Sequence, residues 1–149
     1  MIIRKATLED VENGLLDVFI EGYRYHQNGR PDVFVNLTSE ELKQDLIDGL
    51  SKFTILVLID DNKIMGYLAY DFKAKHLKKM HVDQLVIKEN VRGRGYGKML
   101  MNEAIKIGKE NACDRIELDC WCFNKDALAM YEHIGLNKQR VLFEYDLKE

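Results

Sequence analysis

Val91-Arg92-Gly93-Arg94-Gly95-Tyr96-Gly97-Lys98 decides how this chain is read. A β-rich run over 81–87 precedes it. A helix from about Gly95 to Asn111 follows, with Tyr96, Leu100, Ala104 and Ile107 at helical spacing. The alternating glycines bring backbone N–H groups to a surface with no side chain in the way. The helix start adds the positive end of its dipole, and Arg92 and Arg94 add charge. A strand–turn–helix unit of this kind is an anion site, so a phosphate-bearing ligand is expected.

Working outward, residues 1–6 read as a strand and Thr7 caps a helix, with Asp10 three residues on. That helix is expected to reach about Tyr25, and 25–36 to form a loop marked by Asn28-Gly29 and Arg30-Pro31. A second helix starts at Thr38, where Glu41 completes a capping box and Leu37 can staple to Leu42. The runs 53–59 and 64–72 flank Asp60-Asp61-Asn62-Lys63 and predict an antiparallel hairpin. Past the glycine turn come a strand over 115–121, a helix over 124–133 ended by Gly135, and a strand over 141–147. The order is β-α-α-β-β-β-α-β-α-β. Consecutive strands in the middle exclude a purely doubly wound fold. The expectation is a mixed α/β (α+β) chain, with one parallel βαβ unit in a mostly antiparallel sheet.

With 149 residues, 46% of them apolar, the chain is expected to form a single domain over 1–149. A net charge of −3 argues against nucleic-acid binding through a broad basic field. No apolar run is long enough to span a membrane and no signal-peptide block is present, so a cytoplasmic protein without membrane association is expected. Cys113, Cys120 and Cys122 suggest a reducing compartment rather than a disulfide framework. Cys120 and Cys122 would share one face of a strand, and a lone C-x-C pair gives no metal set, so no metal is expected.

The spacing G-x-G-x-G departs from the dinucleotide fingerprint, and Gly97-Lys98 is followed by Met99 where a P-loop needs a hydroxyl. Arg94-Gly95-Tyr96-Gly97 begins like an RNA-recognition motif, but continues with helical instead of alternating periodicity. The stretch resembles the acyl-CoA-binding segment of the GCN5-related N-acetyltransferases, Q/R-x-x-G-x-G/A at a helix start, which Arg92, Gly95 and Gly97 fill. The segment 124–136 resembles the same family's N-x-x-A-x-x-x-Y-x-x-x-G-F block through Asn124, Ala127, Tyr131 and Gly135, with Leu136 in place of the commoner Phe.

The resemblance implies an acetyl-CoA-dependent N-acetyltransferase of that fold, acting on a primary amine of a small molecule or protein. The alternative is a non-catalytic acyl-CoA-binding or regulatory domain of the same fold. The amides of Gly93, Arg94, Gly95, Tyr96, Gly97 and Lys98, together with Arg92, would hold the CoA pyrophosphate. Leu85, Val86 and Ile87 would offer backbone groups to the pantetheine arm, and the amide of Val86 or Ile87 would polarise the thioester carbonyl. Asn124 would cap its helix and contact CoA. Tyr131 would protonate the leaving thiolate. Asp83, nine residues before Arg92 where some family members place a glutamate, is the first candidate for the base, acting through a water. Glu21, Glu117 and His81 are alternatives, and His81 shares a strand face with Asp83. For the acceptor, Tyr25, His26, Arg30, Phe34 and His81 are the candidate lining. The stretch from His26 to Phe34 resembles an H-x-x-x-R-P-D-x-F pattern in one branch of the family. Homodimers are common in that family, and no residue of this sequence establishes one.

Overall fold

Strands β1 (Ile2–Lys5), β2 (Thr54–Asp60), β3 (Lys63–Ala74), β4 (Lys78–Ile87) and β5 (Arg115–Leu118) lie side by side in that order in one mixed sheet. The computed structural model describes residues 1–148, and the chain divides into the units Met1–Asp119 and Cys120–Glu149. The whole sheet belongs to the first. Its junctions are antiparallel except β4–β5, which is parallel. The β2–β3 turn places Asp61 and Asn62 at φ of 53° and 58°, the left-handed pair that a two-residue hairpin turn requires.

Helices α1 (Leu8–Asp10), α2 (Leu16–Gly29) and α3 (Ser39–Lys52) precede β2, and α4 (Tyr96–Glu110) is the crossover between the parallel strands. The Asp10 carboxylate accepts the Thr7 N–H at 2.7 Å and takes a two-pronged contact from Arg4 at 2.8 and 2.9 Å. The helix expected over 7–25 is broken. Residues Val11–Leu15 form a wide turn in which Gly14 has φ of 115°, and α2 then runs on through the Asn28-Gly29 pair. A glycine at positive φ lets the chain change direction there, and tertiary packing overrides the Asn-Gly turn preference. At Thr38 the expected box forms: its hydroxyl accepts the Glu41 N–H at 3.1 Å and Glu41 accepts the Thr38 N–H at 3.2 Å.

Val11, Leu15, Val18 and Leu46 pack with Ile55, Val57, Tyr67, Ala69 and Val86 to form the main core. On α4, Tyr96, Leu100, Met101 and Ala104 are buried.

In the second unit, α5 (Lys125–Ile134) is capped by Asn124, whose side chain accepts the Ala127 N–H at 3.3 Å. It ends at Gly135, with φ of 110°. No residue of α5 is buried. Two expected strands are corrected here. The one over 115–121 stops at Leu118, so Cys120 and Cys122 lie outside it as free thiols. The one over 141–147 joins no ladder among the described residues, and its apolar side chains are exposed. The alternating pattern marks a β-prone segment, and a strand also needs a pairing partner.

Candidate acyl-CoA and acceptor site

The β3–β4 register slips by one residue. Ala69 pairs with Gln84 and Tyr70 with Val82, so Asp83 is left over as a bulge. A bulge leaves its extra residue outside the ladder and sharpens the strand's twist. The parallel pairing with β5 stops at this point, its last pair being Val82 with Leu118. From Gln84 to Ile87, β4 is therefore paired on the β3 side alone among the described residues, and Asp83 on neither side. Its other edge carries no ladder bonds along the segment expected to meet the pantetheine arm. That early stop also explains why β5 is shorter than its sequence suggested.

The bulge gathers polar groups. Paired residues share a sheet face, so His81 faces the same way as Asp71, and Gln84 the same way as Ala69. His81 Nδ1 lies 3.3 Å from Asp71 Oδ1, and neither atom has a partner in hydrogen-bond geometry. Desolvation pushes the Asp83 carboxyl up from its ordinary range and the Asp71 charge adds to this, while His81 and Lys73 pull it down. The Tyr67 hydroxyl donates to Gln84 Oε1 at 2.8 Å. A carboxyl raised above its ordinary range is a stronger base when ionised, which suits proton abstraction. Asp71, Gln84 and Tyr67 escaped the sequence reading. The strand register that collects them could have been sought in the hairpin alternation, but a bulge shifts that alternation.

Gly93 and Gly95 take φ of 81° and 87° in the turn before α4. A Cβ built on either would meet nothing within 4 Å, so the backbone there faces open space. The first hydrogen bond into α4 runs from the Met99 N–H to the Gly95 carbonyl at 3.0 Å. The amides of Tyr96, Gly97 and Lys98 precede it and have no intrahelical acceptor, which is what an anion needs. The Tyr96 side chain is buried and its hydroxyl donates to Asp60 at 2.7 Å, so this residue has its backbone to offer a ligand. Arg92 donates to the Ile87 carbonyl at 3.3 Å and sits over the Tyr25 ring at 5.2 Å. That contact ties the turn to α2.

The expected acceptor residues are brought only partly together. Tyr25 and His26 lie in α2 rather than in a loop. The His26 ring packs tilted against Phe34, centroids 5.4 Å apart, and its Nδ1 lies 2.8 Å from the Gly22 carbonyl. Arg30 grips Asp32 through two bonds of 2.9 Å. His81 is held instead with Asp71 on the sheet. Two alternatives for the base have structural partners: Glu21 accepts the Glu89 N–H at 2.8 Å, and Glu117 accepts from Lys79. An open depression of about 660 Å³ is lined by Asp17, Glu21, Lys88, Glu89 and Asn90; of the candidate site residues it holds the alternative base Glu21 alone.

A signal missed in the sequence is Gly22. A Cβ there would lie 2.9 and 3.0 Å from the two methyls of Val86, so α2 crosses β4 at the candidate segment only because the residue has no side chain.

In the second unit Tyr131 is half-buried on α5. Desolvation pushes its hydroxyl well above the ordinary value, and Cys120 adds to the shift. It is therefore protonated at neutral pH.

Comparison with known proteins places this geometry. Residues 19–136 match the acetyltransferase (GNAT) family model. A mutant of the BH1408 protein from Bacillus halodurans superposes with a TM-score of 0.90 at 27% identity, covering 99% of each chain. Glucosamine-6-phosphate N-acetyltransferase from Arabidopsis thaliana shares the fold, with a TM-score of 0.70 at 21% identity over 98% of this chain and 97% of its own. Among curated proteins, N-alpha-acetyltransferase MAK3 of Arabidopsis thaliana is 34% identical over 67 residues, 45% of this chain and 35% of that one. N-alpha-acetyltransferase 30 of Xenopus laevis is 31% identical over 77 residues, 52% of this chain and 28% of that one. The chain thus spans about a third of the length of these curated relatives. With a matched segment that runs from α2 past the glycine turn to Leu136, and a sheet opened at the β4 bulge, the chain belongs to the acetyltransferase (GNAT) family.

Proposed function

We propose that the chain is an acetyl-CoA-dependent N-acetyltransferase acting on a primary amine. The observation that carries this is a single continuous segment. The unpaired edge of β4 from Asp83 to Ile87 leads directly into the open amides of the Gly93–Gly95 turn and the start of α4. An extended thiol arm and a pyrophosphate need those two surfaces in that order.

Acetyl-CoA supplies the acetyl group as a thioester. The amides of Gly93, Arg94, Gly95, Tyr96, Gly97 and Lys98 bind the pyrophosphate, with Arg92 and Arg94 adding charge. The backbone of Leu85, Val86 and Ile87 orients the arm, and the amide of Val86 or Ile87 donates to the carbonyl oxygen as charge grows there. Asp83, its carboxyl raised by desolvation, takes the amine proton through a water. Tyr131, kept neutral, is assigned as donor to the departing sulfur by its place in the Asn124–Tyr131 block, and Asn124 as a CoA contact. Tyr25, His26, Arg30, Phe34 and His81 are assigned to the acceptor side. The curated relatives are named as N-alpha-acetyltransferases, which puts a peptide α-amine among the acceptors to test, beside polyamines, amino acids and antibiotic amines.

The test is thiol release from acetyl-CoA over an amine panel that includes peptides with free N-termini. Turnover above hydrolysis with one class, lost in Tyr131→Phe while acetyl-CoA affinity is kept, supports the reading. Tight acetyl-CoA binding with no turnover on any amine would instead leave a non-catalytic binding domain.

A further inference from the structure

The sheet face that carries the main core turns charged toward the start of β4. Tyr67 and Ala69 belong to that core, and Asp71 and Lys73 follow on the same face of β3. Asp71 pairs with His81, and His81 with Glu117. One pleat further, Lys73 pairs with Lys79, and Lys79 with Arg115. The residues between them settle the facing independently. Met80 and Ile116 turn toward α4 on the opposite face, where both come within 4 Å of a Cβ built at Gly108. All these residues belong to the first unit.

A row of cations across three strands is unfavourable by itself, because like charges opposite one another repel. Glu117 meets Lys79 at 3.2 Å, and among the described residues Lys73 and Arg115 have no carboxylate partner. Both are exposed. A surface of one sign raises the local concentration of the opposite charge, so the row suits an anion. The phosphates of CoA are assigned elsewhere: the glycine turn follows the far end of β4, and from Lys79 to Ile87 the strand advances roughly 26 Å. The acceptor is within reach. Lys79 lies roughly 7 Å along β4 from His81 and roughly 13 Å from Asp83. The charges acting on Asp83 are those of His81, Asp71 and Lys73, all from this face.

We propose that the acceptor is a primary amine that carries a carboxylate or phosphate about 7–13 Å from its nitrogen, the anion lying across Lys73, Lys79 and Arg115. In an extended peptide that span sets an acidic side chain at about the second to fourth residue. The proposal rests on the assignment of Asp83 to the amine.

Calorimetric titration of the CoA-bound protein reads acceptor binding without turnover. The probes are tetrapeptides with free N-termini bearing Asp, Asn or Lys after the first residue, and small amino carboxylates and amino phosphates of the same span. Asp peptides or the small anionic amines should bind about tenfold tighter than Asn peptides, and the set that binds more tightly names the source of the anion. Lys73→Gln and Arg115→Gln should each weaken that binding roughly threefold, less so at high salt. Their thermal midpoints should hold or rise as the repulsion is relieved. Arg115→Glu should turn the preference toward Lys peptides. Equal affinity for charged and neutral probes, no binding of any, or a preference that survives Lys73→Gln and Arg115→Gln combined overturns the proposal. Anionic amines that bind through the row while no amine is acetylated would keep the row and remove the assigned reaction. Turnover indifferent to the anion would do the reverse.

Discussion

Gly95 shows how one residue carries two demands at once. Its φ of 87° is a left-handed conformation, and the space its side chain would fill is open. Gly95→Val should therefore lose about 1–2 kcal/mol of stability from backbone strain. It should also weaken acetyl-CoA binding about tenfold or more, because the branched side chain would stand where the phosphates approach. Gly95→Asn separates the two effects: asparagine tolerates the conformation, so stability should largely return while affinity stays low. Calorimetric titration of each folded variant checks this, and an unchanged affinity in folded Gly95→Val would remove the turn from the site. At Asp83 the sign of the pKa shift makes a second prediction. Its carboxyl is pushed above its ordinary value by desolvation, so the acid limb of the pH–rate profile should lie higher than an ordinary aspartate would set it, with rate lost as pH falls through it. Asp83→Asn should lower kcat by about 10²–10⁴-fold with acetyl-CoA affinity retained. An unshifted acid limb in that variant would assign the proton transfer to another group. The glycine turn was legible in the sequence from its spacing, and Asp83 was singled out there by the family resemblance. The bulge that takes Asp83 out of the ladder was not, because it is set by how β3 and β4 register against each other.

At the scale of elements, α2 and β4 meet through an absence. Gly22→Ala would push a methyl to within 2.9 Å of Val86, and well-packed neighbours resist that by about 1–3 kcal/mol. Thermal unfolding should register the loss, and acetyl-CoA affinity should fall with it, since Val86 lies on the segment proposed to orient the arm. A fully stable Gly22→Ala would mean that Val86 yields freely. The start of the α1 turn depends on Asp10, which is 5% exposed and bound to Arg4 and the Thr7 N–H. These partners hold its carboxyl below the ordinary value. A lowered folded pKa stabilises the fold above the unfolded value and is lost as pH falls through the folded one. Asp10→Asn should thus cost about 1 kcal/mol in urea melts at neutral pH, modest because Arg4 is partly solvated. The difference from wild type should close in acid, below the usual carboxylate range. Capping chemistry is local, so Thr38 and Glu41 were readable in advance. The break at Gly14 and the run of α2 through Asn28-Gly29 were not, because core packing of Val11, Leu15 and Val18 outweighs a turn preference of under a few kcal/mol.

At the scale of the whole molecule, residues 141–147 show where pattern reading ends. Their alternation was enough to mark a β-prone run, and nothing in it specified a partner. By itself the sequence determined the order of the elements through α5, the parallel unit around the glycine turn and the β2–β3 hairpin, because helix periodicity, caps and turn residues act over a few positions. Only the tertiary structure decided the one-residue slip that frees the edge of β4, the joining of Arg92 to Tyr25, the meeting of His81 with Asp71, and the end of β5 at Leu118. Each of these is a contact between residues distant in the chain, set by register and close packing that no local pattern encodes.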